Sequence, residues 1–469
     1  MSHNLDRVTL KKLRTLMYCL VVSVFSLMVL IFTSRFQGMF KVQAVTHPVL
    51  QSSVMPTVHQ NTTPGNTVLR GQSAQLIRVN GSKTLLSSAY LEHRTKAKEI
   101  RVIAIVLRSE KIDLWCHLLC RDQLQMSKAI ISIHSDHFRF PYGTADIMCQ
   151  IPSGCEIPSH VAITSSAIKN KEKDDLEFLE INNQKAQSNS FPYNFTTCFS
   201  AMYNFTNVLQ LVQTLEMLQL LGVNRVVIYK TNCSTEVQRV LEYYSGKGLV
   251  EVIPWSMSKY LKVSRRAFYD RDPADIHYFA QIPALNDCLY RYMYQSKYMA
   301  LHDPDELILP QSVNSWLELL PMLEKKHGAD SCYNFETHVI PSNFVKPPPE
   351  PVTLPPQDLW QKISGENILT HLYREPFHPF WGRQNYKIII NPRAVFELTV
   401  HGVLKSKKSC AWVDSNIARI YHIKPRDLTE LKPDQMIYDG RLLSYSSRLS
   451  SAVNTVLRQT GILPASSSS

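Results

Sequence analysis

The sequence has no dense run of basic residues, although its 51 Lys and Arg against 39 Asp and Glu give a formal net charge of +12. Tight engagement of a nucleic-acid backbone needs clustered cations, so nucleic acid is excluded as a partner. No Cys-x-x-Cys pair occurs among the ten cysteines, which argues against a structural zinc site. No Ser, His and Asp pattern suggests a covalent nucleophile, and no histidine-rich cluster suggests the two-metal centre of a hydrolase. Charge is absent from Leu16 to Thr33, and no small-residue cleavage site follows closely. Arg35 and Phe36 come next, and Val42-Gln43-Ala44 lies far downstream. That spacing argues against a cleaved signal peptide.

What is present points to the secretory pathway. The uncharged stretch Leu16–Thr33 is 18 residues long, about the minimum that spans a bilayer. Arg7, Lys11, Lys12 and Arg14 precede it, so the positive-inside rule places the N-terminus in the cytoplasm. The expected product is a single-pass type II membrane protein with Asp6 cytosolic and Asn194 luminal. A mature N-terminus near Val45, recovered from intact cells, would contradict this anchor. Glycosylation sequons begin at Asn61, Asn80, Asn194, Asn204 and Asn232, which suits a luminal chain. Cys116, Cys120, Cys149 and Cys155 cluster closely enough to form two disulfides in an oxidising compartment. Nine cysteines follow the span, so at least one stays free or joins another chain, and a homo-oligomer is left open. The first 35 residues hold five Lys or Arg and one Asp, leaving about +8 beyond them. That charge suits an anionic substrate, an acidic membrane surface, or simply a solvated surface.

Changes of rhythm divide the chain. A cytoplasmic tail is expected over 1–15, a transmembrane helix over 16–33, and a polar luminal stem over 34–98. Residues 99–190 form a small β-rich module and linker, with strands at Arg101–Arg108, Lys128–Ile133 and His160–Ile163. The main domain is expected over 191–460 and a Ser-rich tail over 461–469. In the main domain strands at Thr197–Met202, Val226–Tyr229, Leu249–Ile253 and Tyr298–His302 alternate with helices at Val208–Leu221, Thr235–Tyr244 and Gln281–Gln295. That alternation predicts an α/β fold with a largely parallel sheet.

The sharpest motif is Tyr298-Met299-Ala300-Leu301-His302-Asp303-Pro304-Asp305-Glu306, an apolar strand ending on two carboxylates one residue apart. Ligands gather beyond the carboxyl ends of parallel strands. Two carboxylates there suit a hard divalent cation that bridges a diphosphate; a solvated strand end is the alternative. On the preceding helix, Ile282, Asn286, Leu289 and Met293 share one stripe. The Asn286 amide must be hydrogen-bonded on that apolar face, either to core backbone or to a nucleotide sugar.

Together with Cys198-Phe199-Ser200-Ala201-Met202, Thr214-Leu215-Glu216, Val227-Ile228-Tyr229, Val250-Glu251-Val252-Ile253-Pro254-Trp255, Ala284-Leu285-Asn286-Asp287-Cys288-Leu289, Lys387-Ile388-Ile389, Val400-His401 and Tyr421-His422, these residues resemble glycosyltransferase family 92. The resemblance covers Cys198 to Arg426, although the family's closing His-Tyr-Arg is replaced after His422 by Ile423 and Lys424. It implies a GT-A-like, Rossmann-type nucleotide-sugar-binding domain and an inverting transfer of galactose from UDP-galactose to a glycan, in the Golgi lumen. It also implies Mn²⁺ (or another divalent cation) and a UDP-sugar as cofactors. Asp303 would meet the ribose or a metal-bound water, Asp305 would ligate the metal, and His422 would be a third metal ligand. Lys387 and Arg383 would add positive charge near the leaving group, or lie on the surface.

Inversion needs a carboxylate that takes the proton of the attacking hydroxyl. Glu375 is the preferred base, because its loop carries His371, Tyr373, His378, Phe380 and Trp381 for stacking on a sugar. Glu336 is the matched alternative and Asp414 the next. A non-catalytic glycan-binding or scaffolding protein is the rival class, opposed by the retention of both Asp303 and Asp305.

Overall fold

The computed structural model describes residues 76–464, apart from 97, 122, 167–174, 187–188, 352–356 and 427–431. The expected cytoplasmic tail, the span Leu16–Thr33, the stem up to residue 75 and the end of the Ser-rich tail lie outside the described residues. Among the described residues no helix is long and apolar enough to cross a membrane.

The first eight strands are β1 (Ile77–Arg78), β2 (Leu85–Glu92), β3 (Glu99–Leu107), β4 (Leu114–Cys120), β5 (Gln123–Ile133), β6 (Tyr142–Gln150), β7 (His160–Ser165) and β8 (Leu179–Asn182). They run in the order β1-β2-β3-β6-β5-β4-β7-β8, and β8 returns to pair with β2, so seven strands close on themselves. Closure leaves no open edge among those seven. Cys116–Cys149 and Cys120–Cys155 are the disulfides of the predicted cluster. They lie in an apolar interior with Leu86, Val102, Ala104 and Ile147.

The second half opens with β9 (Tyr193–Met202), α1 (Val208–Leu220), β10 (Arg225–Lys230), α2 (Thr235–Gly246), β11 (Val250–Pro254), α3 (Gln281–Tyr292) and β12 (Ser296–Leu301). Asn207 caps α1 by accepting from the Gln210 N–H, and Gly222 ends the turn at a φ of 101° that favours glycine. After β12 the chain forms β13 (Glu306–Pro310), α4 (Trp316–His327), β14 (Cys332–Phe335), β15 (Thr337–Pro341), β16 (Tyr373–Arg374), α5 (Pro379–Gln384) and β17 (Lys387–Ile390). It ends with β18 (Val395–Thr399), β19 (Gly402–Ser406), β20 (Ala411–Trp412), β21 (Ala418–Lys424), β22 (Ile437–Tyr438) and α6 (Ser446–Gln459). A seven-stranded sheet runs β11-β10-β9-β12-β17-β14-β20, and β13-β21-β15 form a separate sheet.

These findings correct the expected fold class. The chain is mostly β, and its N-terminal part is a closed seven-strand barrel rather than a small module. The main sheet is parallel across β11, β10, β9 and β12, and again between β14 and β20. It continues antiparallel through β17 and β14, so a Rossmann-type, GT-A-like domain does not describe it. Periodicity locates strands but carries no information on their direction, and helical crossovers connect only β9 to β12. Two segments were also misplaced. Fully buried β2 falls within the expected stem, and β8, which closes the barrel, falls within the expected linker.

The barrel and the main sheet share an apolar cluster in which Leu85, Tyr90 and Ile103 pack with Tyr229, Leu289 and Met299. At its centre is buried Asp287 on α3. It accepts hydrogen bonds from Tyr90 at 2.6 Å, Tyr229 at 2.5 Å and Ser88, and pairs with Arg291 at 3.1 Å. Burial opposes its charge, but the Arg291 guanidinium and the three hydroxyls outweigh burial and hold the carboxyl below its usual range. The stability this supplies is present above the ordinary carboxylate range and is lost as pH falls through the depressed folded value. Asp287→Ala removes the ion-pair partner of Arg291 and the acceptor of three hydroxyls. We expect a loss of about 3–5 kcal/mol, read as a lower denaturation midpoint.

Candidate functional site

The acidic motif forms a β-turn between β12 and β13. The Glu306 N–H donates to the Asp303 carbonyl at 3.1 Å, with Pro304 at the position where its fixed φ suits such a turn. Three further bonds hold the turn. The Asp303 N–H donates to Glu306 Oε2 at 2.9 Å, Thr214 of α1 donates to the Pro304 carbonyl at 2.7 Å, and the Ile423 N–H donates to the Asp305 carbonyl at 3.0 Å. β21 pairs antiparallel with β13 and sets His422 opposite Glu306. β17 lies beside β12, with Ile388 opposite Leu301, and so delivers Lys387 to the same strand end.

Lys387 is 3% exposed at its side chain, with Nζ 3.0 Å from Asp303 Oδ2 and 3.2 Å from Glu306 Oε2. Burial disfavours its charge, yet the two carboxylates prevail and raise its pKa above the ordinary lysine value. For Asp303, burial is likewise outweighed by the ammonium and the carboxyl sits low, whereas burial dominates at Glu306 and raises it. Asp305 stays 37% exposed, and its Oδ2 is 3.3 Å from His422 Nε2. The histidine's Nδ1 makes no hydrogen bond and lies 3.5 Å from Glu306 Oε1.

Around this turn opens a cleft of about 570 Å³, lined by Asp303, Asp305, Glu306, Lys387, His422 and Lys424 on one side and by Ser200, Tyr203, His277, Tyr278 and Gln281 on another. Tyr278, Phe279 and Ala280 have φ values of 26°, 51° and 58°. Backbone strain of this kind costs about 1–3 kcal/mol per residue and gathers at functional sites. The barrel reaches in as well, for Phe138 lines the cleft and stacks on His277 at 4.1 Å. Burial pushes His277 down to about 4 and His401, also in the wall, down to about 3, so both are neutral at physiological pH.

Residues 193–451, just over half of the chain, match glycosyltransferase family 92. The chain belongs to glycosyltransferase family 92. A glycosyltransferase family 92 protein of Caenorhabditis elegans is 23% identical over 146 residues, which is 31% of this chain. The match spans 28% of that relative's own length.

The fold of this family 92 member gathers some of the residues singled out from sequence and disperses others. Asp303, Asp305, Lys387 and His422 meet in the cleft. Asn286 does not reach it. Fully buried, it donates to the carbonyls of Ile282 and Leu398 at 2.9 and 3.0 Å and accepts from the Leu398 N–H at 3.0 Å, pinning β18 to α3. The core-backbone alternative therefore describes it. Arg383 is 57% exposed, pairs with Glu336 at 2.9 Å and lies outside the cleft lining. Glu336 is thereby engaged and also outside the lining. Asp414 sits on an exposed turn and accepts from the Asn416 N–H.

Glu375 lines a smaller cavity of about 210 Å³, with His338, Phe377, Trp381 and Arg426. This cavity shares Asn385, His422 and Lys424 with the main cleft. Both Glu375 oxygens are held by Arg426, at 2.8 and 3.3 Å. A carboxylate that sequence reasoning missed, Glu366, lines the main cleft itself, is 41% exposed and has His371 Nε2 at 3.2 Å. No motif marks it; Gly365 beside it, with a φ of 117° and a backbone packed on Asn207, is the local signal. The remaining cysteines among the described residues form Cys198–Cys288 and Cys332–Cys410, and Cys233 has no disulfide partner among them.

Proposed function

We propose that this chain transfers a hexose, galactose from UDP-galactose in the most specific form, with inversion, to a hydroxyl of a glycan acceptor. The observation that carries this is the acidic turn Asp303–Glu306 at the mouth of a 570 Å³ cleft, with Lys387 and His422 delivered to it by two separate strands. Asp305 and His422 fit a divalent cation. Their facing atoms are 3.3 Å apart, close to the spacing of two ligands each about 2.1 Å from one ion. Asp303 fits less well, since Lys387 already balances it. Such an ion, when bound, would stabilise negative charge on the departing diphosphate. The residues do the rest. Lys387 keeps Asp303 and Glu306 together in a low-dielectric wall, and Tyr203 and Tyr278 form an aromatic side of the donor cleft. Glu366 accepts the acceptor proton, while exposed Phe380 and Trp381, beside the smaller cavity, offer faces for a sugar ring.

A screen of nucleotide sugars against glycan acceptors, with Mn²⁺ and with chelator, tests the proposal. Transfer from UDP-galactose that stops on chelation is expected; release of UDP without a glycan product would oppose it. Retention in the Golgi membrane as a type II protein belongs to the same proposal, and rests on Leu16–Thr33 and its basic flank.

A further inference from the structure

A second set of ligating side chains lies where the barrel meets the C-terminal strands, and none of its members lines either cavity. His134 follows β5, Asp146 lies in β6 and Glu397 in β18, and one ligand atom from each lies within 4.8 Å of the others. Among the described residues no other trio of His, Cys, Asp or Glu is drawn together in this way. His134 and Asp146 are 2% and 1% exposed, and Glu397 is half-buried. Both ring nitrogens of His134 and Oδ1 of Asp146 make no hydrogen bond; Nε2 lies 3.2 Å from Asp146 Oδ2, and Nδ1 has no such neighbour. Orphaned buried groups cost about 1–3 kcal/mol each, which a cation would offset for one ring nitrogen and the carboxylate oxygen. The neighbouring positive charges leave room for it. Arg101 bonds Asp146 through Oδ2, not Oδ1, and Lys405 touches Glu397 only at 3.7 Å from a largely exposed position.

We propose that His134, Asp146 and Glu397 hold one divalent cation of the zinc class, which fastens the barrel to the β18–β19 hairpin. One imidazole and two carboxylates are a donor set such an ion accepts, with water completing the tetrahedron. The two barrel ligands are fixed by strands β5 and β6, which pair directly, with Ser132 opposite Asp146. Glu397 arrives from a hairpin with register shifts on both sides of it. The site is structural, because its ligands come from two parts of the fold and it opens into no substrate cleft. It does not depend on the transfer reaction.

The test uses the full chain in detergent, stripped with chelator and titrated with Zn²⁺ alone. Bound metal is counted after dialysis, and melting is followed with and without Zn²⁺. The parent should retain zinc and melt higher with it, and Asp305→Asn should keep that zinc. Glu397→Gln should bind roughly tenfold more weakly or worse and gain less from zinc. Glu397 is only half-buried, so this variant is expected to fold, and it decides the matter even where His134→Gln does not. Equal zinc affinity in Glu397→Gln and parent would overturn the site. So would a parent that retains no zinc, in which case buried water satisfies His134 and Asp146.

Discussion

Asp305→Asn is expected to abolish transfer while leaving the protein folded. The substitution removes one negative charge at nearly constant shape. The backbone of the turn is held independently of that side chain by Thr214, Ile423 and the Asp303–Glu306 bond. Loss of a ligating carboxylate should cost several kcal/mol of transition-state stabilisation, roughly a thousandfold in rate. Initial rates with saturating donor and Mn²⁺ measure this, and the melting temperature should stay close to that of the parent. A near-parental rate would return the acidic turn to the status of a solvated strand end. Lys387→Met should behave differently. It leaves buried Glu306 and part-exposed Asp303 without the cation they share, so stability and activity should fall together.

Glu366→Gln is expected to lower kcat by about 10²–10⁴ and to leave donor affinity nearly unchanged. Three features of this chain favour it over the carboxylates chosen from sequence. It lines the main cleft, its side chain is partly exposed, and its neighbour is His371, whose charged form burial disfavours. Glu375 and Glu336, by contrast, are each held by an arginine. Glu375→Gln should therefore reduce the rate less, chiefly through a higher acceptor KM where the small cavity seats the acceptor. Should Glu375→Gln be inactive and Glu366→Gln turn over normally, the base is Glu375 after all.

Much of this was legible along the chain. Strand positions followed from apolar runs such as Val226–Tyr229 and Leu249–Ile253, and the helices expected at Val208–Leu221 and Thr235–Tyr244 fall where α1 and α2 form. The motif at Asp303–Glu306 stood out because an apolar strand ends there on two carboxylates one residue apart. The compensating Lys387 was singled out too, but for the leaving group rather than for the two carboxylates it joins. Asn286 was equally visible as a polar residue on an apolar stripe. Its partner, the backbone of Leu398, is 112 residues away, beyond the reach of any local pattern.

The sequence by itself determined many of the elements, the four-cysteine cluster, the acidic turn and the family, because each depends mostly on residues near one another in the chain. Only the tertiary structure decided that the N-terminal strands close into a barrel and that the main sheet turns antiparallel after β12. Strand pairing is a choice among distant partners, and a single apolar run fits a parallel or an antiparallel neighbour equally well. The same holds at the site. Which carboxylate meets a lysine, which meets a histidine and which stays open to the cleft depends on β17, β21 and the loop at Glu366, all brought to one strand end by folding.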